Sequence, residues 1–141
     1  MDITPTEMTI AQANAALIKG AYDAFGRGDI EKVLAALSED IFWHVPGRGP
    51  LARDCRGHAE VLKFFEHFMW LSSGTFRIKI DDVLAKGDRV VVLCTNTAER
   101  GGRSWSSPEV HLWTVKNGRA ITFWEYQADQ QTEDEFWSQP A

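Results

Sequence analysis

Cysteine is scarce in this chain, and every pattern built on it is missing. Only Cys55 and Cys94 occur among 141 residues, in separate segments and outside any paired motif. That excludes a disulfide framework, and two reduced thiols in a cytoplasmic protein are expected. No apolar run approaches the roughly 20 residues that span a bilayer, and the opening MDITPTEMTI lacks the basic start and apolar stretch of a secretory signal. Basic charge is in deficit too. Fifteen Lys and Arg, scattered along the chain, face twenty Asp and Glu for a net charge of −5, so neither nucleic acid nor membrane is the expected partner. There is no G-x-S-x-G, no internal repeat and no low-complexity segment. Gly47-Arg48-Gly49 runs into Pro50 rather than a helix start, so it reads as loop and not as a phosphate cradle. His58 and His67 lie nine positions apart on one helix, which is not ligand spacing, and no metal site is expected.

Apolar and aromatic residues are plentiful, at 44% and 11% with six tryptophans. A single domain over residues 1–141 follows, with a loose lead-in at 1–8. Thr9 is placed to cap a helix running to about Phe25, with Ile10, Ala13, Leu17, Ala21 and Phe25 at helical spacing; Asp29 caps a shorter helix through Leu37. Ile41 to Val45 reads as a strand, and GRGPLARDCRG after it as a loop. The third helix, His58 to Trp70, is apolar around more than half its circumference and should pack between two surfaces. Then come a half-exposed strand from Phe76, a long strand from Arg89 to Arg100 and a strand holding Trp105 to Val115. A strand from Arg119 follows, and one helical turn at Thr132 to Trp137 tucks Phe136 and Trp137 inward. Three helices followed by antiparallel strands give an α+β domain with a pocket in the concave face of its sheet.

The unusual content lies between Ser107 and Asp129, where Glu109, His111 and Glu125 stand among apolar strand residues. Buried charges are costly unless paired or neutralised, so such residues mark a candidate site. Whether they share a face depends on Asn117-Gly118. A two-residue type I′ turn pairs Lys116 with Arg119 and sends Glu125 to the face opposite Glu109 and His111. A type I turn with a Gly118 bulge instead pairs His111 with Phe123 and Glu109 with Glu125, and unites all three. Asn-Gly by itself favours the first.

Further stretches carry a resemblance: Tyr22-Asp23-Ala24-Phe25 with Gly28-Asp29, the run Asp40 to Gly47, Pro50-Leu51, Arg56-Gly57, and the hairpin to Asp129. From about Ala11 to Trp137 the chain resembles the nuclear transport factor 2-like superfamily, and within it the SnoaL-like and ketosteroid-isomerase-like proteins. The resemblance implies a cone-shaped α+β barrel: three N-terminal helices on a strongly curved, mainly antiparallel sheet, open at one end to a small hydrophobic molecule. It also implies a homodimer through the outer sheet face, and it favours the bulged register. Trp43, Val45, Val92, Cys94, Asn96, Glu109, His111 and Glu125 would point into the cone, with Phe123 as a further substrate-facing residue. His111 and Glu125 are spaced like the His and Asp pair of SnoaL-type polyketide cyclases. Tyr22 lies within one residue of an isomerase-like oxyanion-hole tyrosine.

There are departures as well. Val45 stands where ketosteroid isomerases carry their proton-shuttling Asp, and Val92 and Cys94 stand where epoxide hydrolases of the limonene type carry Arg and Asp. What the resemblance implies is a cofactor-free acid/base enzyme on a small hydrophobic carbonyl, polyketide-like or epoxide substrate, with Glu125, His111 and Tyr22 as the catalytic candidates. The other expectation is a non-catalytic binding protein for an apolar ligand. Glu109 is either a carboxylate that raises the Glu125 pKa or a residue of the rim.

Overall fold

The computed structural model describes residues 5–140, with side chains from residue 9. Helix α1 (Pro5–Gly26) begins before the expected Thr9 cap, which falls inside it. Its inward face runs through Asn14, Ile18, Ala21 and Ala24, whereas Ile10 is 47% exposed. The apolar stripe therefore lies about one position round from the one the spacing suggested. Asn14 can sit on it because its amide donates to the Gly87 carbonyl. Helix α2 (Ile30–Ala35) is capped by Asp29, whose carboxylate accepts from the Lys32 N–H. Leu37 does not end this helix but opens strand β1 (Leu37–Val45).

The supposed loop after β1 holds a correction. Arg53–Arg56 forms a short edge strand, β2, antiparallel to β1, with Cys55 opposite Trp43. Its residues have little strand propensity of their own, so pairing and the burial of Cys55 make the strand. Helix α3 (Gly57–Leu71) buries Val61, Phe64, Phe65 and Phe68 on one face and leaves Trp70 77% exposed. Its Phe65 and Phe68 meet Phe25 of α1, while Phe64 and Phe65 meet Trp43 of β1, so the helix packs between α1 and the sheet. Strands β3 (Arg77–Lys86), β4 (Arg89–Arg100), β5 (Arg103–Lys116) and β6 (Arg119–Gln127) then follow as antiparallel neighbours. The sheet order is β2-β1-β6-β5-β4-β3, with β1 running parallel to β6. Helices pack on this curved, unclosed sheet, the expected cone-like α+β architecture.

The hairpin between β5 and β6 combines features that the sequence presented as alternatives. Asn117 and Gly118 both have positive φ, 52° and 76°, and Lys116 pairs with Arg119, as in a type I′ turn. A bulge then follows further along: Val115 pairs with Ala120 but Thr114 with Thr122, which leaves Ile121 unpaired. That extra residue switches the parity of β6, so Ala120 faces inward before it and Phe123 and Glu125 after it. His111 consequently lies opposite Glu125. Glu109 lies opposite Gln127 and not, as either reading of the sequence would have it, opposite Glu125 or across the sheet from it.

The C-terminal helix α4 (Gln130–Ser138) is longer than the single turn expected and is capped by Asp129. Phe136 and Trp137 pack on Trp105, and buried Arg100 holds the helix end from β4. Arg100 donates to the carbonyls of Leu71, Phe136 and Trp137 at 2.9, 3.1 and 2.6 Å. Each hydrogen bond to a charged group is worth roughly 1.5–3 kcal/mol. Arg100→Met is therefore expected to lower unfolding free energy by at least about 2 kcal/mol in urea titrations; an unchanged midpoint would remove Arg100 as the anchor of α4.

Candidate functional site

All four helices and most strands contribute to one cavity inside the cone. Its empty space, mouth included, is about 660 Å³, and its walls are mostly aromatic. Trp43 of β1 stacks on Phe123 of β6 at 3.9 Å between ring centroids and meets Trp113 of β5 edge-on at 5.4 Å. The parallel β1–β6 register makes the stack, because it sets Trp43 directly beside Phe123.

One side of this apolar space carries a chain of hydrogen bonds. Trp113 donates its indole N–H to Tyr22 Oη at 3.1 Å, and that oxygen lies 2.5 Å from His111 Nδ1. Burial, reinforced by the neighbouring Cys94, keeps the Tyr22 pKa well above its ordinary value, so the phenol stays protonated and donates to Nδ1. The imidazole proton then belongs on Nε2, which donates to Glu109 Oε1 at 2.9 Å. Glu125 Oε1 is 3.7 Å from the same nitrogen. Burial lowers the His111 pKa to about 4, against a smaller opposing pull from Glu125, so these contacts involve neutral imidazole.

The carboxyls are shifted the other way. Burial, then the charge of Glu133, pushes Glu109 up to about 8. Burial and the charge of Glu109 hold Glu125 well above the usual carboxylate range. Burial and the charge of Glu125 raise Glu133 to about 9. No Lys or Arg among the described residues lines the cavity. Burial likewise drives the Cys94 thiol far from ionisation; its sulfur is 3.7 Å from the His111 ring nitrogens. Four buried polar atoms around the site, Glu109 Oε2, Nε2 of Gln127 opposite it, and the indole nitrogens of Trp43 and Trp137, have no hydrogen-bond partner among the described residues.

Of the residues singled out in the sequence, Tyr22, Trp43, Val45, Asn96, His111, Phe123 and Glu125 line the cavity. Val92 and Cys94 are buried in β4 without lining it, and Glu109 is buried beside His111 rather than at the rim. Glu109, His111 and Glu125 bring ligand atoms within 4.8 Å of one another, so this trio could hold a cation. To do so, His111 would have to move its proton from Nε2 to Nδ1. Sequence reasoning missed Glu133, which reaches the cavity from α4. Its signal was present: Glu133, Phe136 and Trp137 are spaced as one buried helical stripe, on which an acid is out of place.

A SnoaL-like domain matches residues 18–123, most of the chain. The protein belongs to the SnoaL-like family. Among solved structures it is similar to Bal32a, from a soil-derived mobile gene cassette, at 34% identity and TM-score 0.87, covering 90% of this chain and 98% of that one. It is also similar to TerC, crystallised with polyporic acid, at 27% identity and TM-score 0.81, covering 90% and 99%. An uncharacterised protein of Mycobacterium tuberculosis is 29% identical over 127 residues, 89% of this chain and 97% of its own.

The cavity charges of this SnoaL-like domain set a pH dependence. Glu109, Glu125 and Glu133 hold their protons to higher pH when folded than their ordinary 4.5. Above that value the folded state binds more protons than the unfolded, so stability falls as pH rises, until Glu109 and Glu133 ionise near 8 and 9. His111, at about 4 instead of 6.5, adds stability with rising pH only up to about 6.5. Between about pH 6.5 and 8 the carboxyls act alone, each contributing at most about 1.4 kcal/mol per pH unit. Tm is expected to fall across this interval, and less steeply in Glu109→Gln. A flat profile, or equal slopes, would contradict these ionisation states.

Proposed function

We propose that this SnoaL-like protein is a cofactor-independent acid/base enzyme for a small hydrophobic carbonyl or polyketide-like substrate. One observation carries the reading: Glu125 lies on the wall of an aromatic cavity, beside a neutral imidazole whose proton is already committed to a second carboxyl. A carboxyl with a raised pKa donates a proton at neutral pH and, once ionised, is a stronger base than an exposed one. Glu125, holding its proton at rest, gives it to one substrate atom and then, as carboxylate, takes one from the carbon beside the carbonyl, so the substrate rearranges without net change in protons. Charge gathering on the carbonyl oxygen needs donors, and the unpaired Trp43 N–H and the amide of Asn96 border the same space. Tyr22 acts through His111, because its own hydroxyl proton is engaged there. TerC, the similar protein crystallised with polyporic acid, supports a small organic ligand for this cone.

Hydrogen–deuterium exchange at carbon tests the proposal without knowledge of the product. A panel of cyclic ketones and diketones is incubated with protein in heavy water and followed by NMR. At least one member is expected to exchange beside its carbonyl. Glu125→Gln should slow that exchange by about a hundredfold or more while ligand binding persists. Exchange at the same rate in the variant, or binding of the panel with no exchange at all, would defeat the enzyme reading and leave a binding protein.

A further inference from the structure

A second carboxyl reaches the cavity wall. Glu133 comes from α4 and Glu125 from β6, and both line the space although Glu133 is only 6% exposed. Its side chain is held in place: Gln130, one turn earlier on α4, donates an amide N–H to Glu133 Oε2 at 3.1 Å, and the same amide nitrogen reaches Asp134 Oδ1 at 2.9 Å. An oxygen that accepts from an amide leaves the carboxyl proton to the other one, so a neutral Glu133 carries its O–H on Oε1. That oxygen has no hydrogen-bond partner among the described residues. The cavity-lining Trp43 likewise keeps a buried N–H without a partner among them, so the walls hold donors that the protein itself does not use.

We propose that Glu133 is a second catalytic acid of this site: it gives a proton to the substrate's carbonyl oxygen while Glu125, as carboxylate, takes one from the neighbouring carbon. The step balances. The C–H bond breaks and its electron pair becomes the carbon–carbon double bond of an enol; the carbonyl π pair takes the Glu133 proton, so one O–H forms as another breaks. The enol then takes a proton at carbon from Glu125 and returns the oxygen's proton to Glu133, and both carboxyls end as they began.

Charge orders the two transfers. After burial, the Glu125 charge is the next cause that raises Glu133 to about 9, so Glu133 still holds its proton when Glu125 acts as base. As Glu125 takes up the carbon proton its charge disappears, and Glu133 releases its own proton more readily while the oxygen gains charge. The other titratable groups nearby are engaged or set back from the cavity. Tyr22 of α1 is bonded to His111, His111 of β5 has given its N–H to Glu109, and Asp134 of α4 accepts from the Arg48 N–H. Cys94 of β4 and Glu109 of β5 are buried without lining the space. This role rests on the acid/base reading of Glu125 above and adds a second residue to it.

Hydrogen–deuterium exchange of the ketone and diketone panel, followed by NMR from about pH 6 to about pH 10 with the protein-free rate subtracted, tests both residues. Wild-type exchange is expected to fall on the alkaline side as Glu133 ionises near 9. Glu133→Gln should slow exchange about tenfold at about pH 7.5 and abolish that alkaline fall, which a structural role alone would leave in place; Glu109→Gln should keep it. Where Glu133→Gln does not fold, Gln130→Ala serves: the Gln130 hydrogen bond lowers the Glu133 pKa, so its loss should move the fall to higher pH. A Glu133→Gln variant as fast as wild type, or slower with the alkaline fall intact, would overturn Glu133 as the acid and leave Glu125 in its role. So would a wild-type profile without the fall, or a fall that Gln130→Ala does not move. Absence of any exchange in the wild-type protein would overturn both.

Discussion

Were Ile121 paired with Thr114 in an unbroken ladder, the Asn117-Gly118 turn would send Phe123 and Glu125 to the outer face of the sheet and turn Trp124 and Tyr126 inward. The bulge switches the parity of β6 after Ala120, and from that point Phe123 and Glu125 face inward. The place of Glu125 in the cavity depends on it. Glu125 reaches His111, Phe123 reaches Trp43 across the parallel β1–β6 pairing, and His111 is enclosed between the two. A one-residue register difference thus decides whether Glu125 joins His111 and Glu133 on the cavity wall.

Enclosure then sets the chemistry. Burial is the first cause of every large pKa shift around the cavity, upward for Glu109, Glu125 and Glu133 and downward for His111. The hydrogen bonds run in one direction, from Trp113 through Tyr22 and His111 to Glu109, and every donor in that order has an acceptor. Helix α4 completes the enclosure. Arg100 fixes its end from β4, and Glu133 enters the cavity from its inner face, so the tail supplies both a wall and a charge.

Much of this was legible in the sequence, for identifiable reasons. Alternating apolar and polar residues from Phe76 onward, with Gly-rich turns between, specified the antiparallel strands, and Asp29 announced its helix. The polar residues of the last two strands pointed to the site because acids and a histidine are out of place in core strands. The bulge was not legible, since Ile121 is an ordinary strand residue and carries no glycine or proline to mark it. The resemblance pairs His111 with Glu125, which the bulge does set opposite it at 3.7 Å, whereas the short hydrogen bond goes to Glu109, two residues away on β5. Strand β2 was read as loop because Arg53-Asp54-Cys55-Arg56 becomes extended only through pairing with β1.

Nitrogen NMR of the His111 ring in labelled protein tests the hydrogen-bond order most directly. The expected result is a neutral imidazole with its proton on Nε2, unchanged from about pH 8 down to about pH 5, since its pKa is lowered to about 4. A proton on Nδ1, or titration near the ordinary 6.5, would contradict the directed chain from Trp113 to Glu109 and the acid/base roles built on it.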